Sequence, residues 1–221
     1  FDKNLQMKTL LTFTFLLLLF PFITLNGQIP GEFDPDFGTD GIVTTTDNDY
    51  EKSNAIIVQP DGKILIAVEN NAHFSVYRYN TDGSVDSSFN ENGYTWTNLG
   101  VLDIPLDIQG ALVDENNLFV AGISVPFGDL TEFGIVRYKP DGTKDSSFND
   151  DGRLAFAFDD DSDYSGAYSI VIQPDGKIVL GGTVWGESGY DFALARLNAD
   201  GTFDESFDDD GKVVTDLEES A

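Results

Sequence analysis

One message is written three times in this chain. Ser75-Val76-Tyr77-Arg78-Tyr79 leads through an Asp82-Gly83 pair to Asp86-Ser87-Ser88-Phe89 and Gly93. Gly134-Ile135-Val136-Arg137-Tyr138 leads through Asp141-Gly142 to Asp145-Ser146-Ser147-Phe148 and Gly152. Ala193-Leu194-Ala195-Arg196-Leu197 leads through Asp200-Gly201 to Asp204-Glu205-Ser206-Phe207 and Gly211. The arginines at 78, 137 and 196 stand 59 residues apart both times. A step of that size defines a repeat architecture, in which each unit buries its apolar surface only against a neighbour.

Within one unit the apolar pattern is that of strands. Ala55-Ile56-Ile57-Val58-Gln59 runs into Pro60-Asp61-Gly62 and then Lys63-Ile64-Leu65-Ile66-Ala67-Val68. Ser169 to Gln173, Pro174-Asp175-Gly176 and Lys177 to Gly182 say the same again. Proline presets one φ and glycine accepts a positive one, so Pro-Asp-Gly between β-branched runs makes a hairpin. The second unit keeps this hairpin with Asn116-Asn117 in the turn. A third strand (74–79, 133–138, 192–197) ends in the Asp-Gly pair, and a fourth follows the last glycine (94–97, 153–158, 212–216).

Four antiparallel strands per unit, with no helical periodicity in the mature chain, predict an all-β fold of β-propeller blades. The blades fall at 53–98, 107–158 and 167–217. Residues 34–47 carry the end of a unit without its beginning, a lone N-terminal strand of a closing blade. Three complete blades and one strand make an incomplete ring, because closed propellers take about 4–8 blades. The remaining blades are expected in the same full-length chain, with this sequence truncated after Ala221.

The N-terminal region reads as an address rather than as fold. Met7-Lys8 precedes the apolar run Thr9 to Leu25, and Asn26-Gly27 offers a small residue at the boundary. A short basic start, an apolar stretch and a small-residue boundary are the layout of a secretory signal peptide, here 7–27. Residues 1–6 read as translation upstream of the start. The mature protein is therefore expected to be secreted or at the cell surface, with no membrane insertion after cleavage. Lys+Arg is 12 against Asp+Glu 39, a net charge of -27. That charge repels phosphate backbones and anionic bilayers, which excludes nucleic acid as a partner. The 18 phenylalanines supply a core that a disordered acidic chain lacks. Cysteine is absent, which removes disulfides, thiolate metal sites and a cysteine nucleophile.

The residues Gln173-Pro174-Asp175-Gly176-Lys177-Ile178, Arg196 with Asp200-Gly201, and Asp204 to Phe207 with Gly211 resemble the delta-60 repeat. The resemblance covers about residues 34 to 217. It implies a β-propeller repeat of bacterial extracellular proteins, in a large secreted or surface-attached protein that often carries a C-terminal sorting domain. The family is defined by its repeat and not by a reaction. Ser88 to Trp96 also resembles the Asp-box turn of sialidases, with one extra residue before the glycine and Asn in place of Asp.

Residues that recur in every unit build the unit. Arg78, Arg137 and Arg196 precede Asp86, Asp145 and Asp204 by eight residues. A guanidinium fork fits a carboxylate, so these pairs are read as braces of the connector. The other reading is an arginine-lined channel for an anionic ligand. Phe89, Phe148 and Phe207 are read as core plugs, and Gly93, Gly152 and Gly211 as positive-φ positions. Asn149-Asp150-Asp151 and Asp208-Asp209-Asp210 hold oxygens of the kind calcium collects, and are equally ordinary turn residues. Asp159, Asp161 and Asp163 in an unrepeated acidic run are the metal candidates. However, Tyr164 stands where an EF-hand loop places glycine, and Ile170 where it closes with an acid. Calcium is the one cofactor the sequence admits.

Candidate ligand contacts lie where the units differ: His73, Phe127, Trp185 and Tyr190 in the variable loops. Rigid scaffolds carry recognition on such loops. His73 is the only histidine and is placed in the loop before Phe74. No Gly-x-Ser-x-Gly elbow and no phosphate-cradling glycine loop is present. The reading is a binding or scaffold module for an extracellular glycan or protein. The alternatives are an extracellular hydrolase or lyase on a polymer and a calcium-dependent adhesion module.

Overall fold

The computed structural model describes residues 31–45, 51–70, 73–99, 108–113, 118–124, 131–158, 164–186 and 189–216. The signal segment, Phe127 and the run 159–163 lie outside these residues. The chain divides into two units, Phe1–Glu32 and Phe33–Ala221, and the fold described here is that of the second.

Among the described residues there are twelve strands and no helix. β1 (Glu51–Val58), β2 (Ile64–Asn70), β3 (His73–Tyr79) and β4 (Tyr94–Thr97) form one antiparallel sheet in chain order. β5 (Ile108–Val113), β6 (Leu118–Ser124), β7 (Glu132–Tyr138) and β8 (Arg153–Phe156) form the second. β9 (Ser165–Ile172), β10 (Ile178–Trp185), β11 (Tyr190–Leu197) and β12 (Lys212–Thr215) form the third. The first strands of the blades touch in series, β1 against β5 and β5 against β9, which makes them the inner strands. Each inner strand carries a register break near its start, at Asn54, Gln109 and Tyr168. Such bulges bend and twist a strand where sheets crowd.

The core lies between sheets. Phe74, Val76 and Phe89 of the first blade pack with Leu118, Val120, Val136 and Tyr138 of the second. Phe133, Ile135, Phe148 and Phe156 of the second pack with Ile178, Leu180, Ala195 and Leu197 of the third. From Phe74 to Tyr79 and from Phe133 to Tyr138 every residue is buried, so β3 and β7 are covered on both faces. Side chains alternate across a strand, so both faces of these sheets must carry apolar residues. The near-continuous apolar runs of the repeat follow from this.

Residues 33–45 reproduce the corner of a unit. Asp34 aligns with Asp86, and its Oδ1 accepts the Asp36 backbone N–H at 3.0 Å. Gly38 N donates to Asp82 O at 2.8 Å, and Val43 joins the cluster of Val68, Tyr77 and Tyr79. The strand expected in 34–47 is described as far as Thr45, and its pairing among these residues is the Thr39–Ile42 bridge. A fourth strand needs a third strand beside it, and here the segment is held on the first blade by the Gly38 backbone bond and the packing of Val43 instead.

Candidate functional site

The recurring residues meet at one construction per blade. The Nε atoms of Arg78, Arg137 and Arg196 lie 2.7, 2.8 and 2.6 Å from Oδ2 of Asp86, Asp145 and Asp204. The other carboxylate oxygen, Oδ1, accepts the backbone N–H and hydroxyl of Ser88, Ser147 or Ser206. The arginine Nη2 donates to that same serine. The guanidinium also lies over the phenylalanine ring of the corner, 4.6, 4.9 and 4.5 Å from the centroids of Phe89, Phe148 and Phe207. A flat cation between a carboxylate and a ring satisfies hydrogen bonding and π attraction together. Lys63 and Lys177 add a second cation to Asp86 and Asp204, at 2.7 and 2.6 Å. The second repeat carries Asn117 at that place.

The same residues reach forward into the following blade. Arg78 Nη1 donates to Pro140 O at 2.6 Å, and Arg137 Nη1 donates to Ala199 O. Asn90 N and Asn149 N donate to Asp141 O and Asp200 O, both at 2.7 Å. The Phe89 ring lies against Gly142 and the Phe148 ring against Gly201, where an added Cβ would stand 2.9 Å from each ring. Gly201 also has φ +90°. Gly201→Ala is therefore expected to destabilise the protein by about 1–3 kcal/mol through strain and collision with Phe148. A urea midpoint equal to the parent's would contradict the contact.

Two consecutive left-handed residues shape each corner: Asn90-Glu91, Asn149-Asp150 and Asp208-Asp209. Asn and Asp tolerate this region better than most residues. Their neighbours hold the turn: Gly93, Gly152 and Gly211 donate to Phe89, Phe148 and Phe207 O at 2.7 Å. The corner oxygens are turn partners as well. Asp151 Oδ1 accepts from Arg153 N, Asp210 Oδ1 from Lys212 N, and Asn149 Nδ2 donates to Arg153 O. Among the described residues no three His, Cys, Asp or Glu gather at one point.

The joint carboxylates are strongly acidic groups. Burial alone raises Asp86, but hydrogen bonds from Lys63 and Ser88 and the charge of Arg78 outweigh it and hold the carboxyl far below its usual range. The Lys177 hydrogen bond leads at Asp204, helped by Ser206 and Arg196. Asp145 is lowered too, with burial opposing Ser147 and Arg137. A depressed folded value means that the unfolded chain takes up more protons as pH falls. The stabilisation is therefore complete above the unfolded carboxylate value of about 4 and is lost as pH falls below it toward the folded value. Urea midpoints measured from pH 6 to pH 2 should fall below about pH 4, and less steeply in the double variant Arg78→Met with Asp86→Leu. An identical slope in parent and variant would place the acid sensitivity elsewhere.

The two ends of the blades differ in character. The β1–β2 and β3–β4 connections, with their equivalents, carry the constant turns and corners at one end. The β2–β3 connections and the blade-to-blade connections leave from the other end, and these vary in sequence. His73 is the first residue of β3, paired with Asn70, and not a loop residue as expected from sequence. It meets the Trp96 ring edge to face at 4.6 Å. Trp185 closes β10, Tyr190 opens β11, and their rings meet edge to face at 4.8 Å. The Trp185 backbone N–H donates to Tyr164 O at 2.7 Å. Trp96, Trp185, Tyr190 and Tyr164 are all exposed. Trp96 stands out in the sequence as an unrepeated aromatic, and Tyr164 as the residue in place of an EF-hand glycine. The positions matching Trp96 hold Ala155 and Val214, whereas Tyr164 matches Tyr50 in the sequence of the first repeat.

Three four-stranded antiparallel blades joined by a recurring Arg–Asp–Phe corner define a β-propeller repeat protein. Residues 59–89, 116–148 and 173–207 match the model of DUF5122, a β-propeller domain of unknown function. Each match spans the second and third strands of one blade and ends at the corner phenylalanine. No curated protein and no solved structure matches the chain.

Proposed function

We propose that this chain is a secreted or cell-surface propeller repeat protein of the delta-60 kind, acting as a binding scaffold whose ligand is an extracellular glycan. The observation that carries the reading is the division of labour between the two ends of the blades. The constant residues are consumed by the joints, and the exposed Trp96, Trp185 and Tyr190 stand at the variable end. Aromatic faces suit the apolar faces of sugar rings, and variable loops on a rigid frame are where recognition resides. The apolar segment within 7–27 supports export, and the charge of -27 disfavours polyanionic partners.

A glycan array probed with the protein tests this reading. Binding to a neutral polysaccharide is expected, weakened at least about tenfold by Trp185→Ala combined with Tyr190→Ala. A blank array, or a hit indifferent to these two rings, would remove the proposal.

A further inference from the structure

We propose that the bulged positions of the three inner strands, Asn54, Gln109 and Tyr168, form one binding level that takes a neutral, hydroxyl-rich sugar. The proposal rests on the glycan reading above and adds to it a site that the exposed aromatic pair does not include. The extra residue falls at one place in every blade. Asn54 stands unpaired between the Ser53–Val68 and Ala55–Ala67 pairs. Gln109 stands between Ile108–Gly122 and Gly110–Ala121, and Tyr168 between Ala167–Gly182 and Ser169–Gly181. β1, β5 and β9 touch in series, so the three bulges share one level along the inner edge. Each lies in the first half of its strand, toward the variable end.

A bulge that served twist alone would place no demand on its side chain. Here the backbone feature is constant and the residue changes, from asparagine to glutamine to tyrosine. The corner has the opposite pattern, since its Arg, Asp and Phe recur unchanged. A fixed backbone position with changing side chains is the arrangement of a recognition surface. All three residue types carry hydrogen-bonding groups and none is charged. The amides offer donors and acceptors together, and tyrosine adds a ring face. That set suits adjacent hydroxyls on a sugar ring and offers no charge to hold an ion.

Tyr168 marks where the level opens. It is 45% exposed, and a Cβ added at Gly166 would stand 3.7 Å from its hydroxyl, so the side chain runs back toward the start of β9. Bulges re-aim side chains in this way beside functional sites. The strand start is itself anchored, because Ser165 N donates to Thr131 O at 2.9 Å and to Thr131 Oγ1 at 3.0 Å. A sugar entering from the variable end therefore meets a fixed frame.

The experiment immobilises oligosaccharides of glucose, mannose, galactose and N-acetylglucosamine and titrates the protein over each. Tyr168→Phe, Asn54→Ala and Gln109→Ala should each weaken binding about tenfold, through lost hydrogen bonds to the sugar. Their urea midpoints should equal the parent's, and Ser169→Ala, beside the bulge, should change neither quantity. Binding that falls with Trp185→Ala and Tyr190→Ala but ignores all three bulge variants overturns this proposal and leaves the glycan reading standing. Affinity lost only in step with a fallen urea midpoint overturns it as well, because the position then serves the fold. Silence from all four sugar series removes both readings.

Discussion

Arg137→Met lowers the stability of the protein by about 3–5 kcal/mol, and Arg196→Met lowers it by only about 1–2 kcal/mol. The two arginines have the same sequence context and different surroundings. Arg137 and Asp145 are both buried, and the repeat places Asn117 where the others have a lysine. Removing the guanidinium leaves Asp145 as a buried carboxylate that keeps its serine but loses Arg137, and breaking such a pair is costly. It also strands Ala199 O in the next blade and removes the cation from the face of Phe148. At Arg196 the carboxylate keeps Lys177, and the side chain is more exposed. Urea unfolding at pH 7 measures both. Equal losses would mean that the forward bond and the missing lysine carry no weight.

Phe148→Ala is the second large effect, expected at about 3–5 kcal/mol. The ring is fully buried and fills the space between its own corner, the Arg137 guanidinium and the Gly201 backbone. Truncation opens a cavity at the junction of two blades, where neither sheet can collapse without moving the other. Phe192→Ala, which removes a strand phenylalanine that is 59% exposed, should stay within about 1 kcal/mol. Because Gly201 abuts the Phe148 ring, Phe148→Ala should relieve the penalty of Gly201→Ala. The double variant should be more stable than the sum of the two single losses implies. Strict additivity would show that ring and glycine are not in contact.

The fold was legible because the apolar alternation and the Asp-Gly turns recur at one spacing, which fixes strand number and order. The pairing of each arginine with the aspartate eight residues on was legible too, because both partners lie within one repeat. The forward half of the joint was hidden for a physical reason. Arg78 and Arg137 donate to backbone carbonyls of Pro140 and Ala199, and a carbonyl leaves no mark on residue identity. The left-handed Glu91 was hidden likewise, since glutamate is not a residue that announces positive φ. His73 was placed in a loop because its polarity and its neighbours Asn70 and Asn71 resemble a turn, but the β2–β3 ladder extends to pair it with Asn70. Phe127, Asp159, Asp161 and Asp163 lie outside the described residues.

Both corner arginine bonds that reach the following blade point the same way along the chain, from a residue to a carbonyl 62 positions later. The reach exceeds one repeat by three residues, so the bond is blind to which repeats it joins. A duplication or loss of one whole repeat, wherever the break falls, rejoins an arginine to a carbonyl at the same separation. The gene can therefore lengthen or shorten by whole repeats without rewriting any junction. Within a repeat, the β2–β3 connection and its equivalents hold two, seven and four residues, so loop length differs while the corner is kept. The construction is tolerant of copy number and of loop length, and strict only in the strands and corners that form the joint.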